Sequence, residues 1–205
     1  MEARKTLAFR KIETLKLLAE KVDFRCGASA TLLDLGCADR FLAPACEAHG
    51  WGYLGLDYAD IDFEFEKFPI EENSIDIAIS LAVIEYLRNP DTFVSEILRR
   101  LKPGGLIYLS TPNFQLAWKN FYNDPTHVRT YTLESLLEIL NRYGFDCAAT
   151  FPGLRCKGVH WYHGRYRFLK AHYLLPFCND SRFPVPAALR GHARSIFDLA
   201  RESMV

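Results

Sequence analysis

Thr31-Leu-Leu-Asp-Leu-Gly-Cys-Ala-Asp-Arg40, followed by Tyr53-Leu-Gly-Leu-Asp57, is the stretch that decides the fold. The apolar run around Asp34 reads as a buried strand, Gly36 as a tight turn, and Tyr53 to Asp57 as a second strand ending in a carboxylate. Open α/β sheets hold a nucleoside in this way: the glycine admits the ligand to the backbone, and the acid after the next strand receives the ribose hydroxyls. A dinucleotide fingerprint starting at Gly36 would also need glycine at positions 38 and 41, where the chain has Ala38 and Phe41. Those glycines admit a pyrophosphate and close helix packing, so the spacing argues against NAD and FAD. No Gly-Lys-Ser/Thr follows the strand, which removes the phosphate loop as well. An adenosyl cofactor without phosphates tolerates this turn better.

Further along come Phe68-Pro-Ile-Glu-Glu-Asn-Ser-Ile-Asp-Ile-Ala-Ile-Ser-Leu81 and Leu101-Lys-Pro-Gly-Gly-Leu-Ile-Tyr-Leu-Ser110. In this order, over residues 30 to 150, the four segments resemble the motifs of class I S-adenosylmethionine-dependent methyltransferases. Pro112-Asn113-Phe114 is similar to the MetW-like branch of that family. The first family motif is a strand ending in an acid and then Gly-x-Gly-x-Gly. Asp34 and Gly36 match it, Cys37 lies in the turn, and Ala38 and Arg40 replace the second and third glycines. The resemblance implies an α/β fold with a doubly wound, seven-stranded, mostly parallel sheet and an antiparallel last strand. It also implies S-adenosyl-L-methionine as cofactor and methyl transfer as the activity.

The same resemblance distributes the cofactor contacts. Asp34 suits the ammonium group, and Asp57, with Tyr58 beside it, suits the ribose hydroxyls through a charge-assisted bidentate contact. An acid near the Pro of the third motif meets the adenine edge; the candidates are Asp62 and Glu64, spacing favours Glu64, and Phe65 could cover the ring. Ser80 and Leu81 would present carbonyls to the methionine portion. Glu85-Tyr86 stands where relatives have Glu-His, with Glu85 on the acceptor side and Tyr86 facing the sulfonium by a cation–π contact. Arg40 reads as a cation in a first helical turn, disfavoured by about 0.3–1 kcal/mol. Its guanidinium then pairs either with the cofactor carboxylate or with Asp39, a nearby Glu or solvent.

An acceptor hydroxyl needs a base, and the segment Asn123-Asp-Pro-Thr-His-Val-Arg-Thr-Tyr131 supplies His127. Asp124 could orient it, and Arg129 could bind an anionic or polyhydroxyl acceptor. Alternatively, His127 and Asp124 simply tie the loop together. His160 and His163, with His172 beyond, have no carboxylate or Cys at ligand spacing, so no metal site is expected. The competing reading from another class is a binding or regulatory module that keeps the fold without the chemistry, supported by Ala38, Arg40 and Tyr86.

The remaining periodicities predict a helix over 2–22, a short helix over 41–49, strands over 51–56, 75–81 and 106–110, a helix over 92–101 and a helix over 133–142 capped by Gly144. Strands over 145–151 and 193–200 complete the pattern. We expect one domain: an N-terminal helix in 1–29, a cofactor-binding core over 30–151, an insertion over 152–192 forming a substrate lid, and the last strand and tail over 193–205. At 205 residues with 49% hydrophobic residues the chain can bury a full core. Formal net charge is zero, which removes the electrostatic argument for a nucleic-acid substrate and makes RNA or DNA methylation a minority reading. Six scattered cysteines, Cys26, Cys37, Cys46, Cys147, Cys156 and Cys178, form no Cys-x-x-Cys pair and suit reduced thiols. With neither a signal h-region nor an eighteen-residue apolar run, the expectation is a cytoplasmic protein with a small-molecule or glycan-like acceptor.

Overall fold

A computed structural model describes residues 2–20, 22–153 and 195–202. The elements are α1 (Glu2–Glu20), β1 (Thr31–Leu35), α2 (Ala43–Ala48), β2 (Gly52–Leu56), β3 (Ile75–Leu81), α3 (Asp91–Arg100), β4 (Leu101–Pro112), α4 (Phe114–Ala117), α5 (Leu133–Arg142), β5 (Phe145–Gly153) and β6 (Ser195–Glu202). The strands form one sheet in the order β2-β1-β3-β4-β6-β5. β1 pairs in parallel with β2 and β3, β3 in parallel with β4, and β6 runs antiparallel to β4 and β5. β1 to β4 therefore end on one edge, and the candidate site residues lie in the last two positions of β1 and β3 or in the segments that follow the four strands.

The sheet separates two apolar layers. Leu33, Leu35, Ala78, Ile107 and Leu109 point to one face, packed by α3 and α5 through Phe93, Val94, Ile97, Leu136 and Leu140. The alternate residues Leu32, Ile77, Ile79, Leu106 and Tyr108 point to the other, covered by Ala8, Ile12, Leu15, Leu18 and Ala19 of α1 and by Ala45 and Cys46 of α2. These α1 residues are fully buried and recur at helical spacing, so the helix is held by its packing. A capping box at Thr132 and Ser135 starts α5. Gly144, at φ 91°, ends it as the sequence leads one to expect.

Six strands are present among the described residues, against the seven the resemblance implies. Residues 57–74, which join β2 to β3, contain neither helix nor strand, so β2 forms the sheet margin. The connection is held to the core by aromatic edges instead: Phe63, Phe68 and Phe93 meet with ring centroids 5.3 to 6.2 Å apart. Glu96 on α3 accepts the Phe68 N–H at 2.9 Å. Burial opposes ionisation of Glu96, but the Arg100 guanidinium at 2.5 Å and the Phe68 bond outweigh it, and its carboxyl lies below the usual range. The expected insertion over 152–192 lies outside the described residues except for its first two positions, as do His160, His163 and His172. No helix among the described residues is long and apolar enough to cross a membrane.

Candidate functional site

The turn after β1 is shaped by left-handed backbone. Gly36, Ala38 and Arg40 have φ of 76°, 46° and 55°, alternate positions that match the three glycines of the family motif. A Cβ on Gly36 would come within 2.3 Å of Val83 Cγ2, so only glycine fits there. Ala38 and Arg40 keep the glycine conformation without the glycine residue, a strain of about 1–2 kcal/mol each. We therefore expect Ala38→Gly and Arg40→Gly to raise the stability of the ligand-free protein by about 0.5–1 kcal/mol each, after allowing for the extra freedom glycine gives the unfolded chain. Urea unfolding of the two variants checks this; a loss of stability in both would show that the backbone strain is relieved elsewhere. Arg40 does not occupy a helical turn: α2 begins at Ala43 with Pro44 in its first turn, and the Arg40 side chain is exposed. The helix dipole consequently does not bear on its position.

Asp34 and Asp57 flank this turn in different environments. Asp34, 2% exposed, accepts a hydrogen bond from the Tyr53 hydroxyl at 2.8 Å. Burial pushes its carboxyl up to about 6; the Tyr53 bond opposes the shift and the Asp57 charge adds to it. Gly55 has no side chain because a Cβ there would lie 2.9 Å from Cys37 Sγ and 3.0 Å from the Tyr53 hydroxyl. Cys37 is buried, and burial raises its thiol above the ordinary value, which makes it packing rather than a nucleophile. Asp57 accepts the Ala38 N–H on Oδ2 at 2.5 Å and the Tyr58 N–H on Oδ1 at 2.6 Å. A carboxylate offers about four lone-pair sites. Two backbone bonds fix its orientation and leave capacity for a diol. Tyr58 and Phe65 stand exposed nearby in the chain, 72% and 76% accessible.

Several of the expected contact residues also have partners within the fold. Glu64 Oε1 accepts backbone N–H groups of Arg88 and of Asn89, the latter at 3.0 Å, so it fastens the β2–β3 connection to the turn before α3. Asp62 accepts the Glu64 N–H at 2.9 Å. Ser80 lies inside the ladder between Leu35 and Leu109 with its side chain fully buried. Leu81 pairs only with Ser110 and is thus the residue at the rim. Glu85, expected on the acceptor side, is fully buried; its Oε2 accepts the Thr111 hydroxyl at 2.9 Å and its carbonyl accepts the N–H groups of Val128 and Arg129 at 3.0 Å. It pins the 124–131 loop to β4. Burial raises its carboxyl above the usual range.

His127 is oriented differently from expectation. Its Nδ1 lies 2.7 Å from the Phe121 carbonyl, an acceptor only, so that nitrogen carries a proton and Nε2 is the basic atom of the neutral ring. Asp124 Oδ2 is 3.8 Å from Nε2, too far for a hydrogen bond. Asp124 instead accepts from Thr126 N–H at 3.0 Å and from the Thr126 hydroxyl, and takes the Tyr86 hydroxyl at 3.3 Å. The Thr126 hydroxyl and N–H bonds hold its carboxyl below the usual range. The His127 ring packs between Tyr86 and Phe121, at 4.9 and 4.6 Å. Arg129 donates to the Arg88 carbonyl at 3.0 Å and lies over the Tyr131 ring, so its guanidinium braces the loop. Tyr53, Val83, Thr111 and Phe121 were not readable as site residues, because their partners lie 6 to 47 positions away along the chain. No group of three or more His, Cys, Asp or Glu among the described residues could hold a metal ion.

A doubly wound sheet with a glycine turn after β1 and a carboxylate after β2 defines a Rossmann-like nucleoside-binding domain. A family model described as a methyltransferase domain matches residues 4–150, and the chain belongs to that family, whose cofactor is S-adenosyl-L-methionine. It is 29% identical over 160 residues to a probable S-adenosylmethionine-dependent methyltransferase of Mycolicibacterium smegmatis, 69% of this chain and 60% of that protein. It thus spans less than two thirds of that relative's length. Over 100 residues it is 25% identical to a Rickettsia conorii protein named ubiquinone biosynthesis O-methyltransferase, 40% of this chain and 35% of that one. A solved S-adenosylmethionine-dependent methyltransferase of Archaeoglobus fulgidus superposes with a TM-score of 0.63 at 17% identity, covering 98% of this chain and 93% of the other.

Proposed function

We propose that the protein transfers a methyl group from S-adenosyl-L-methionine to a hydroxyl of a small-molecule or glycan-like acceptor. The observation that carries this reading is the His127 imidazole, held by the Phe121 carbonyl with its basic nitrogen left over, beyond the same sheet edge as Asp34 and Asp57. The name of the Rickettsia relative, an O-methyltransferase, supports a hydroxyl acceptor. When bound, the cofactor supplies a methyl group on a positively charged sulfur.

The chain's own groups divide the remaining work. Asp57 receives the ribose hydroxyls, and Gly36 admits them to the backbone. Asp34 is a buried carboxylate that a ligand ammonium would relieve of its desolvation cost, and Arg40 meets the carboxylate from the exposed side of the turn. Tyr58 and Phe65 cover the adenine, Glu64 meets its edge through Oε2 while Oε1 keeps the Arg88 and Asn89 N–H groups, and the Leu81 carbonyl borders the methionine chain. The Tyr86 ring faces the sulfonium. His127 takes the acceptor proton at Nε2, and Asp124 stabilises the imidazolium through space. Most of the acceleration comes from placing donor and acceptor in line. The unpaired Cys26, Cys37 and Cys46 thiols support a cytoplasmic setting.

Calorimetric titration with S-adenosylhomocysteine, with NADH as control, tests the cofactor half. Binding of the adenosyl compound alone, weakened in Asp57→Ala, is the expected result, and absence of binding by the native protein would leave the binding-module reading in its place. For the chemical half, His127→Asn should lower kcat by about 10²–10⁴ while the S-adenosylhomocysteine affinity stays the same. Unchanged kcat in that variant would remove His127 as the base.

A further inference from the structure

Resting on that reading, we infer that the acceptor is an aromatic hydroxyl, a phenol or catechol, which stacks on a row of rings running from Tyr86 through His127 and Phe121 to Tyr122. Successive ring centroids in this row are 4.9, 4.6 and 5.0 Å apart, and Phe114 backs it at 5.4 Å from Phe121. The row is anchored in the middle and open at both ends: Phe121 is 2% exposed, whereas Tyr86 is 39% and Tyr122 61% exposed. Ring faces and edges are therefore available on either side of the proposed base, at the spacing that offset or edge-to-face aromatic contacts use.

Several polar groups around His127 are already engaged within the loop. The Tyr86 hydroxyl donates to Asp124, Asp124 accepts twice from Thr126, and the Arg129 guanidinium is held by the Arg88 carbonyl and the Tyr131 ring. A sugar needs many unspent donors and acceptors close to its hydroxyls, and an anionic acceptor needs an unspent cation. The His127 ring itself is flanked on both sides by aromatic rings, those of Tyr86 and Phe121. That setting favours an aromatic ring over the glycan-like alternative.

Proton affinity points the same way. A phenolic proton is released near pH ~10, whereas an aliphatic hydroxyl holds its proton about as tightly as water, near ~15.7. Imidazole bases are far better matched to the first. In the step, the phenolic oxygen forms the new C–O bond as the C–S bond of the donor breaks. The bonding pair goes to sulfur, and the phenolic proton goes to Nε2 of His127.

The test offers catechol, methyl glucoside and ethanolamine to the protein with S-adenosylmethionine and identifies methylated product by mass spectrometry. Binding of S-adenosylhomocysteine and of catechol to the resulting complex is measured separately by calorimetry. The inference expects catechol to bind the complex and to be the methylated probe, with Tyr122→Ala raising its KM roughly 3- to 10-fold at unchanged S-adenosylhomocysteine affinity, and Tyr122→Phe restoring it. Preferential methylation of glucoside or ethanolamine overturns it, as does a complex that fails to bind catechol or a KM indifferent to Tyr122→Ala. Failure to bind S-adenosylhomocysteine overturns the methyl-transfer reading instead, so the two failures are separable.

Discussion

Gly36→Ala is expected to destabilise the protein by about 2–5 kcal/mol and to abolish cofactor binding. Two costs add. An alanine held at φ 76° carries the left-handed penalty of about 1–2 kcal/mol. Its Cβ would also stand 2.3 Å from Val83 Cγ2, and relieving such an overlap in a packed site costs about 1–3 kcal/mol. Val83 is buried and β-branched, so it cannot swing aside freely. The turn must then move away from β3, which displaces the Ala38 N–H from Asp57 and opens the ribose side. Chemical unfolding of Gly36→Ala, Val83→Ala and the double variant separates the two costs, because shortening Val83 removes the overlap and leaves the backbone penalty. A double variant no more stable than the sum of the single changes predicts would mean that the overlap is not the source of the loss.

Asp34→Asn is expected to act in opposite directions on stability and on binding. The unfolded chain ionises Asp34 near the ordinary carboxylate value, whereas burial holds the folded carboxyl up at about 6. The folded state therefore binds the extra proton between about pH 4 and pH 6, and its stability falls as pH rises through that window. Above it the full cost remains, on the order of 2–3 kcal/mol for a shift of about two units. Asparagine keeps an oxygen for the Tyr53 hydroxyl and removes the charge. Without ligand, the variant should be more stable than the native protein by about 2 kcal/mol at pH 7.5, and the difference should vanish near pH 4. If Asp34 receives the cofactor ammonium, S-adenosylhomocysteine affinity should drop about 10- to 100-fold, the value of one charge-assisted contact. Thermal melts across pH, with and without ligand, check both. A variant less stable than the native protein at pH 7.5 would show that the ionised carboxylate is compensated within the fold.

Whether these effects could be anticipated from the sequence depends on how local their causes are. β1, the Gly36 turn, β2 and β3 are apolar runs punctuated by glycine and acids, and each is visible within a window of a few residues; the structure has all of them in place. α3 and α5 start and stop within one or two positions of the periodicity. The sheet margin is different. The acidic and aromatic alternation of residues 62–68 resembles strand, but Phe63 and Phe68 pack on Phe93 and its acids hold backbone N–H groups, so no ladder forms. Glu85 was visible as an acid in the right motif, but not as a buried one, since Thr111, Val128 and Arg129 bury it from 26 to 44 residues away. Arg40 was placed in a helix because a left-handed turn and a helix start have similar composition. Pro44, favoured in a first helical turn, was the local sign that α2 begins later.

The three left-handed positions of the β1 turn differ in what they admit. Gly36, Ala38 and Arg40 all take left-handed backbone, so two positions of the Gly-x-Gly-x-Gly pattern hold that bend here without glycine. Only the first position is closed to a side chain by what stands opposite it, so the two later positions can carry one at the cost of backbone strain alone.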